Sequence, residues 1–178
     1  NKFLKITALV FATLAIVVAF PWLKEAVISK KGNPMENASV KLSQFTQETV
    51  TKISIKKGGD EKILSFSDNK WLIGSDEADA DKVKQLFQSL ADLKIKETVS
   101  ENQDNWQKFE VAPDTGFRLG ITQNGKDSVF FIGKSGASVD DFYIRKDGIK
   151  NVYLMNGELR NILGWTNEQW KKSTENKK

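Results

Sequence analysis

The chain contains no cysteine and no histidine. Without cysteine there is no disulfide framework, no thiolate nucleophile and no Cys-ligated zinc or iron–sulfur cluster. Without histidine there is no Ser-His-Asp triad and no His-bound zinc or haem. A basic body is also lacking. The net charge is +4, but residues 1–24 carry +3 and residues 164–178 carry +2, which leaves −1 on residues 25–163. A nucleic-acid reader needs a basic stripe on its folded body, so no nucleic-acid partner is expected. What remains is 39% hydrophobic and 28% charged, the balance of a folded domain and not of a disordered chain.

One long hydrophobic run stands apart. Ile6 to Leu23 is 18 residues without a charge, or about 27 Å of helix. Lys2 and Lys5 precede it and Lys24 follows; lysines at both ends can snorkel to the headgroups. Trp22 sits where an indole favours the interface. An uncleaved anchor competes with a signal peptide cleaved after Val17-Val18-Ala19 and with a buried core helix. The run has no polar face beyond Thr7 and Thr13, which argues against a core helix. Its length exceeds a usual signal core, so the anchor is preferred. Ile6, Leu9, Val10, Phe11, Leu14, Ile16, Val17, Val18, Phe20 and Trp22 are its membrane residues. With no cysteine after it, the run does not read as a lipoprotein signal. Lysine counts at its two ends nearly tie, so orientation follows the habit of signal-anchors: a short basic tail inside, the body outside the cytoplasm.

The body divides into a polar linker over 29–48, a folded domain over 49–172 and a polar tail over 173–178. Within the domain the apolar period is first two. Val50, Ile53 and Ile55 lead to the turn Gly58-Gly59-Asp60, then come Ile63, Leu64 and Phe66, a turn at Asp68-Asn69, and Trp71-Leu72-Ile73. The period then changes. Val83, Leu86, Phe87, Leu90 and Leu93 form one apolar face of a helix that Asp79 caps and Asp81 supports with charge. Residues 97–116 are polar, with Trp106, Phe109 and Val111 embedded and a helical turn expected near 104–110. Four strands follow: Phe117-Leu119-Ile121, Val129–Ile132 after the hairpin signal Asn124-Gly125, Phe142-Tyr143-Ile144 before Asp147-Gly148, and Val152–Met155. Leu159, Ile162 and Leu163 suggest a short helix stopped at Gly164. The expected class is α+β: an N-terminal transmembrane helix, then about seven antiparallel strands with one long amphipathic helix and a short C-terminal one.

Three stretches imitate known chemistry. Gly133-Lys134-Ser135 fails as a phosphate loop, because Ser128 stands where a glycine is needed and Gly136 where a helix should begin; a polar turn leaving the strand is the better reading. Asp76, Glu77, Asp79 and Asp81 fail as a calcium loop, with Asp81 at position six and Phe87 at twelve; they read as charge decorating a helix start. Asp140 and Asp141 cannot pair with each other for glycosidase-type chemistry if extended, since neighbours point to opposite faces. No catalytic residue, cofactor or metal site is therefore assigned. Trp106, Phe109, Trp165 and Trp170 lie outside the regular strands and are the candidate interaction residues; packing under loops is the competing explanation.

The body resembles a bacterial family known as domain of unknown function 4340. The resemblance lies in Lys70-Trp71-Leu72-Ile73, the Ala80–Leu93 helix, Val129-Phe130-Phe131-Ile132-Gly133-Lys134, and Phe142-Tyr143-Ile144-Arg145 leading to Val152-Tyr153-Leu154. The Leu159–Leu163 helix and Trp170 fit as well. The sequence departs from the family at one place, having Phe109-Glu110-Val111 where the family tends to have Gly-Leu after an aromatic. The resemblance implies a membrane-anchored extracytoplasmic domain near ABC-type exporters and gliding-motility-like auxiliary subunits. It implies no catalytic residues. The expected function is that of a non-catalytic accessory subunit of a bacterial inner-membrane complex, its partners being other membrane-protein subunits. A periplasmic binding module for a lipid, glycan or peptide, and a carboxylate-dependent hydrolase, are the alternatives.

Overall fold

A computed structural model describes residues 40–173. The expected anchor over 6–23 and most of the polar tail lie outside the described residues. Nine strands form one sheet in the order β4-β3-β2-β1-β6-β7-β8-β9-β5. Their ranges are β1 Val50–Lys57, β2 Asp60–Ser67, β3 Lys70–Ile73, β4 Asp76–Glu77, β5 Lys94–Ser100, β6 Phe117–Gln123, β7 Lys126–Ser135, β8 Asp141–Lys146 and β9 Val152–Asn156. Every pairing is antiparallel. The helices are α1 Ala80–Ala91, α2 Leu159–Leu163 and α3 Asn167–Trp170, and a 3-10 turn spans Leu42–Gln44. The fold is therefore α+β, with nine strands where about seven were expected.

The connections explain the layers. β1 to β4 step outward to one edge, and β6 to β9 step outward to the other. α1 must then carry the chain from β4 to β5 across one face. Residues 101–116 must return it from β5 to β6, past β9, β8 and β7, across the opposite face. The hairpins that make each half are set by their turns. Asp68-Asn69 (φ 52° and 61°) and Asn124-Gly125 (φ 51° and 73°) both hold two successive left-handed residues, the requirement of a tight type I′ hairpin.

Under α1 the core follows cross-strand register. Ile73, Leu64, Ile53 and Ile121 oppose one another in succession, as do Ile55, Leu119 and Phe130. Opposed residues share a face, and all seven are buried. The alternation in β1 and β6 fits burial on that one face, with Lys52, Lys56 and Arg118 on the other. By contrast, Val129–Ile132 and Val152–Met155 are unbroken apolar runs, and Phe130–Gly133 and Val152–Met155 are buried throughout. A continuous apolar run fits a strand covered on both faces. The second cover is the 101–116 segment.

α1 forms as expected. Asp79 Oδ1 accepts from the backbone N–H groups of Asp81 (2.9 Å) and Lys82 (3.1 Å). Val83, Leu86, Phe87 and Leu90 are buried while Lys84 is exposed. Truncating Leu86 to alanine should therefore cost about 2–5 kcal/mol, the range for core leucines. Lys84→Ala should change stability by less than about 0.5 kcal/mol, as at a surface site. Similar shifts for both in urea melts would mean that the helix packs by another face.

Several expectations need correction. α1 ends at Ala91, so Leu93 lies in the connection after the helix and not on its apolar face, and β5 makes a strand of 94–100, taking in the start of the stretch expected to be irregular. β5 was illegible because its sequence, KIKETVS, is an edge strand exposed along most of its length. Asp76 and Glu77 form the two-residue β4 and not merely a charged approach to α1. Gly133-Lys134-Ser135 continues β7 through a register shift and is not a turn. Gly164 ends α2 at φ −75°, a right-handed conformation and not a left-handed cap. Residues 40–48 are no mere linker: Val40, Leu42 and Phe45 are buried, and Phe45 meets Phe130 edge-on at 5.9 Å.

Candidate functional site

The site is built where the 101–116 segment crosses the face of the sheet opposite α1. Phe131, Tyr143, Arg145 and Val152 point to this face, because their strand neighbours Phe130, Ile144 and Tyr153 are committed to the other. The segment begins in a 3-10 turn at Gln103–Asn105, where the Asn102 side chain accepts from Asp104 N at 3.0 Å. It then lays Trp106, Phe109 and Val111 onto the sheet. Phe109, Val111, Phe131 and Val152 form a buried cluster, with Val99, Trp106, Val129 and Tyr143 packed around it. The Phe109 and Tyr143 rings lie 4.6 Å apart.

Two glycines allow the backbones to meet. A Cβ on Gly133 would lie 2.0 Å from the Phe109 carbonyl oxygen. Gly116 stands at φ +52° beside the Ile132 carbonyl. Lys134 N–H donates to the Phe109 carbonyl at 3.3 Å and fastens the crossing. The second half of the segment is thus held against β7 by main chain, with no side chain between.

Arg145 lies at the centre of this cluster and is 1% exposed. Its guanidinium is sandwiched, 3.7 Å from the Trp106 ring centroid and 4.3 Å from that of Phe131. Nε donates to the Val111 carbonyl at 3.0 Å, and Nη1 reaches the Lys146 and Ile149 carbonyls at 3.4 Å each. Nη2 is buried without a hydrogen-bond partner. The acid paired with it, Asp147, is 3.9 Å away and 63% exposed. Burial pushes the Arg145 pKa below its ordinary value, and the Asp147 charge opposes that only in part. The cation is therefore held by aromatic faces and carbonyl dipoles, with no buried counter-ion.

The four candidate interaction residues fall into two pairs on opposite sides of the sheet. Trp106 and Phe109 belong to the cluster just described. Trp106 is half-buried and donates through Nε1 to the Lys150 carbonyl at 3.0 Å, whereas Phe109 is buried. Trp165 and Trp170 pack with their ring centroids 5.1 Å apart and the planes tilted at 59°, on the α1 side. Trp165 is half-buried with Lys82 Nζ 4.4 Å from its ring, and Trp170 is fully buried. Phe109 and Trp170 are core residues; Trp106 and Trp165 still present ring surface to solvent. Arg145 went unassigned in the sequence. Its one signal is position: it continues the Tyr143 face directly after the apolar run Phe142-Tyr143-Ile144.

The charged stretches are engaged elsewhere. Asp76 meets Lys171 at 3.1 Å and Glu77 meets Lys172 at 2.6 Å, so the acidic approach to α1 fastens the C-terminal segment. These residues line a hollow of about 750 Å³. Asp141 is buried and accepts from Lys96 Nζ at 2.7 Å and Asn156 Nδ2 at 3.0 Å. The Lys96 hydrogen bond, then that of Asn156, holds its carboxyl below the usual carboxylate range. Asp140 is exposed, so the two neighbouring carboxylates lie in different environments. Among the described residues no group of acidic side chains is arranged to hold a metal ion.

A family model described as Domain of unknown function (DUF4340) matches residues 71–175, well over half of the chain. The chain belongs to this family. No curated protein and no solved structure matches. The family match runs from β3 through α3 and takes in the whole crossing segment and Arg145, while β1 and β2 precede it.

The departure at Phe109-Glu110-Val111 acquires a physical meaning here. Glu110 stands at φ +57°, a left-handed conformation that costs a residue with a Cβ about 1–2 kcal/mol and glycine little. A glycine there would suit the backbone better. Glu110→Gly should raise stability by about 1 kcal/mol, less any loss to the freer unfolded chain. An unchanged or lower urea midpoint would show that the exposed Glu110 side chain earns its place by a contact of its own.

Proposed function

We propose that the protein is a non-catalytic accessory subunit. Residues 6–23 anchor it in a bacterial inner membrane, and the folded domain, outside the cytoplasm, contacts a larger membrane complex of the ABC-exporter kind. The observation that carries this reading is Trp106, kept half-exposed over the buried Arg145. Tryptophan and arginine dominate the energetics of protein contacts, and a half-exposed indole offers a large apolar face to a partner. The uncharged run and its flanking lysines support the anchor. Among the described residues no helix is long and apolar enough to cross a membrane, so the anchor rests on the run alone.

The test is purification from native membranes in mild detergent, with intact mass and co-purifying proteins recorded. Residues 6–23 should be retained; a mature chain starting at Phe20 overturns the anchor. Trp106→Ala should lose the partner while the domain still melts cooperatively from a folded state, whereas truncating a core residue such as Phe109 would lose the fold first. If a single Asp or Glu substitution instead abolished a measured activity while binding and stability persisted, the hydrolase reading would replace this one.

A further inference from the structure

We propose that Arg145 is a recognition site for one carboxylate group of a partner polypeptide, covered in the free protein by Trp106. The inference rests on the contact-subunit reading and adds the chemistry of the contact. A buried guanidinium is usually matched by a buried carboxylate, because an uncompensated charge away from water is costly. Here the described residues supply none. Nε and Nη1 are engaged by main-chain carbonyls, and Nη2 keeps its N–H groups free while fully buried. Asp147 is too far and too solvated to neutralise the charge.

The cover divides into a fixed and a releasable half. From Phe109 onward the segment is fastened to β7 through Gly133 and Gly116. Before it, Trp106 is secured by Nε1 to the Lys150 carbonyl and Asn105 Nδ2 by Ser100 Oγ at 2.9 Å, while the Asn105 and Trp106 carbonyls accept from Phe109 N–H (3.2 Å) and Val111 N–H (2.9 Å) and form the hinge to the fixed half. Lifting residues 101–108 away from the β8–β9 turn would bare the guanidinium face that the indole covers and leave the β7 fastening intact. The strained Glu110 lies at the junction of the two halves, where backbone strain often marks a functional segment.

The walls select the ligand. Trp106, Phe131 and the cluster around them carry no second positive charge to match that of a phosphate. A carboxylate needs only the free Nη2 edge and cancels the single charge. An acidic side chain and a free C-terminus share this chemistry.

The experiment uses the full chain in detergent micelles, labelled with ¹⁵N, and follows the Arg145 Nε–H and Trp106 Nε1–H resonances. The probes are sodium acetate, sodium phosphate at equal ionic strength, and two short peptides. One peptide carries a single Asp and an amidated end; the other is uncharged with a free C-terminus. Acetate should shift both resonances saturably, and phosphate should not. The stronger of the two peptides identifies the source of the carboxylate. Asp147→Asn removes a competing anion and should tighten acetate about two- to fivefold, the range set by exposed charge pairs. Trp106→Ala, which thins the cover and leaves the charge, should tighten it too. Resonances unmoved by acetate in the wild type and in Trp106→Ala would overturn the proposal. In that case, loss of the partner in Trp106→Ala would still leave the contact reading standing.

Discussion

Replacing Trp170 by alanine should cost about 3–5 kcal/mol, the range for buried aromatic truncations, and could unfold the domain at physiological temperature. The side chain is fully buried and packed at a tilt against Trp165. Its neighbourhood magnifies the loss. The Trp170 carbonyl accepts from Asp79 N–H at 2.8 Å, Lys171 bridges Ala78, and Lys172 N–H donates to the Glu77 carbonyl at 2.9 Å. The indole thus anchors a C-terminal strap that closes the β4 edge and meets the start of α1. Trp170→Phe should be much milder, because the indole N–H is buried without a partner and its removal breaks no hydrogen bond. Trp165→Ala, at a half-buried ring, should cost about 1 kcal/mol. Thermal and urea unfolding of the three variants checks the order. Equal losses for Trp165→Ala and Trp170→Ala would mean that the pair acts as one packing unit.

Gly133→Ala should be the second severe change, at about 3 kcal/mol, near the upper end for overpacking. The new methyl would meet the Phe109 carbonyl oxygen at 2.0 Å and Val111 Cγ1 at 2.9 Å. Neither obstacle is the free end of a flexible side chain, so the crossing segment must lift from β7. That movement would also pull the Val111 carbonyl from Arg145 Nε and leave a buried cation with less support. Gly59→Ala is the control: nothing lies within 4 Å of its Cβ position and its φ is not positive. Gly59→Ala should change stability by less than about 0.5 kcal/mol. A stable Gly133→Ala with unchanged Arg145 resonances would refute the close backbone approach.

The legibility of this protein tracks how local its determinants are. The hairpins at Asp68-Asn69 and Asn124-Gly125 could be read because their residues tolerate the left-handed turn conformation by themselves. α1 could be read because Asp79 and the spaced Val83, Leu86, Phe87 and Leu90 announce a cap and one apolar face. β5 could not, because its pairing with β9 comes from 52 or more residues away in sequence and its side chains are largely exposed. The unbroken runs in β7 and β9 were visible as strands, but nothing local said that a second layer covers them.

The candidate residues divide along the same line. Four aromatics outside the strands stood out in the sequence, yet burial separates Phe109 and Trp170 from Trp106 and Trp165. Burial is a property of what crosses above a residue. Arg145 is the sharpest case. In sequence it is one charged residue after the short apolar run Phe142-Tyr143-Ile144; in the structure it is an enclosed cation between two rings. By itself the sequence determined the absence of cysteine and histidine chemistry, the α1 helix, the tight hairpins and the family framework. Only the tertiary structure decided the strand order, the two-sided burial of β7 and β9, and the enclosure of Arg145. Those depend on a segment returning from one sheet edge to the centre, and that path is fixed by long-range strand pairing, which no local residue pattern encodes.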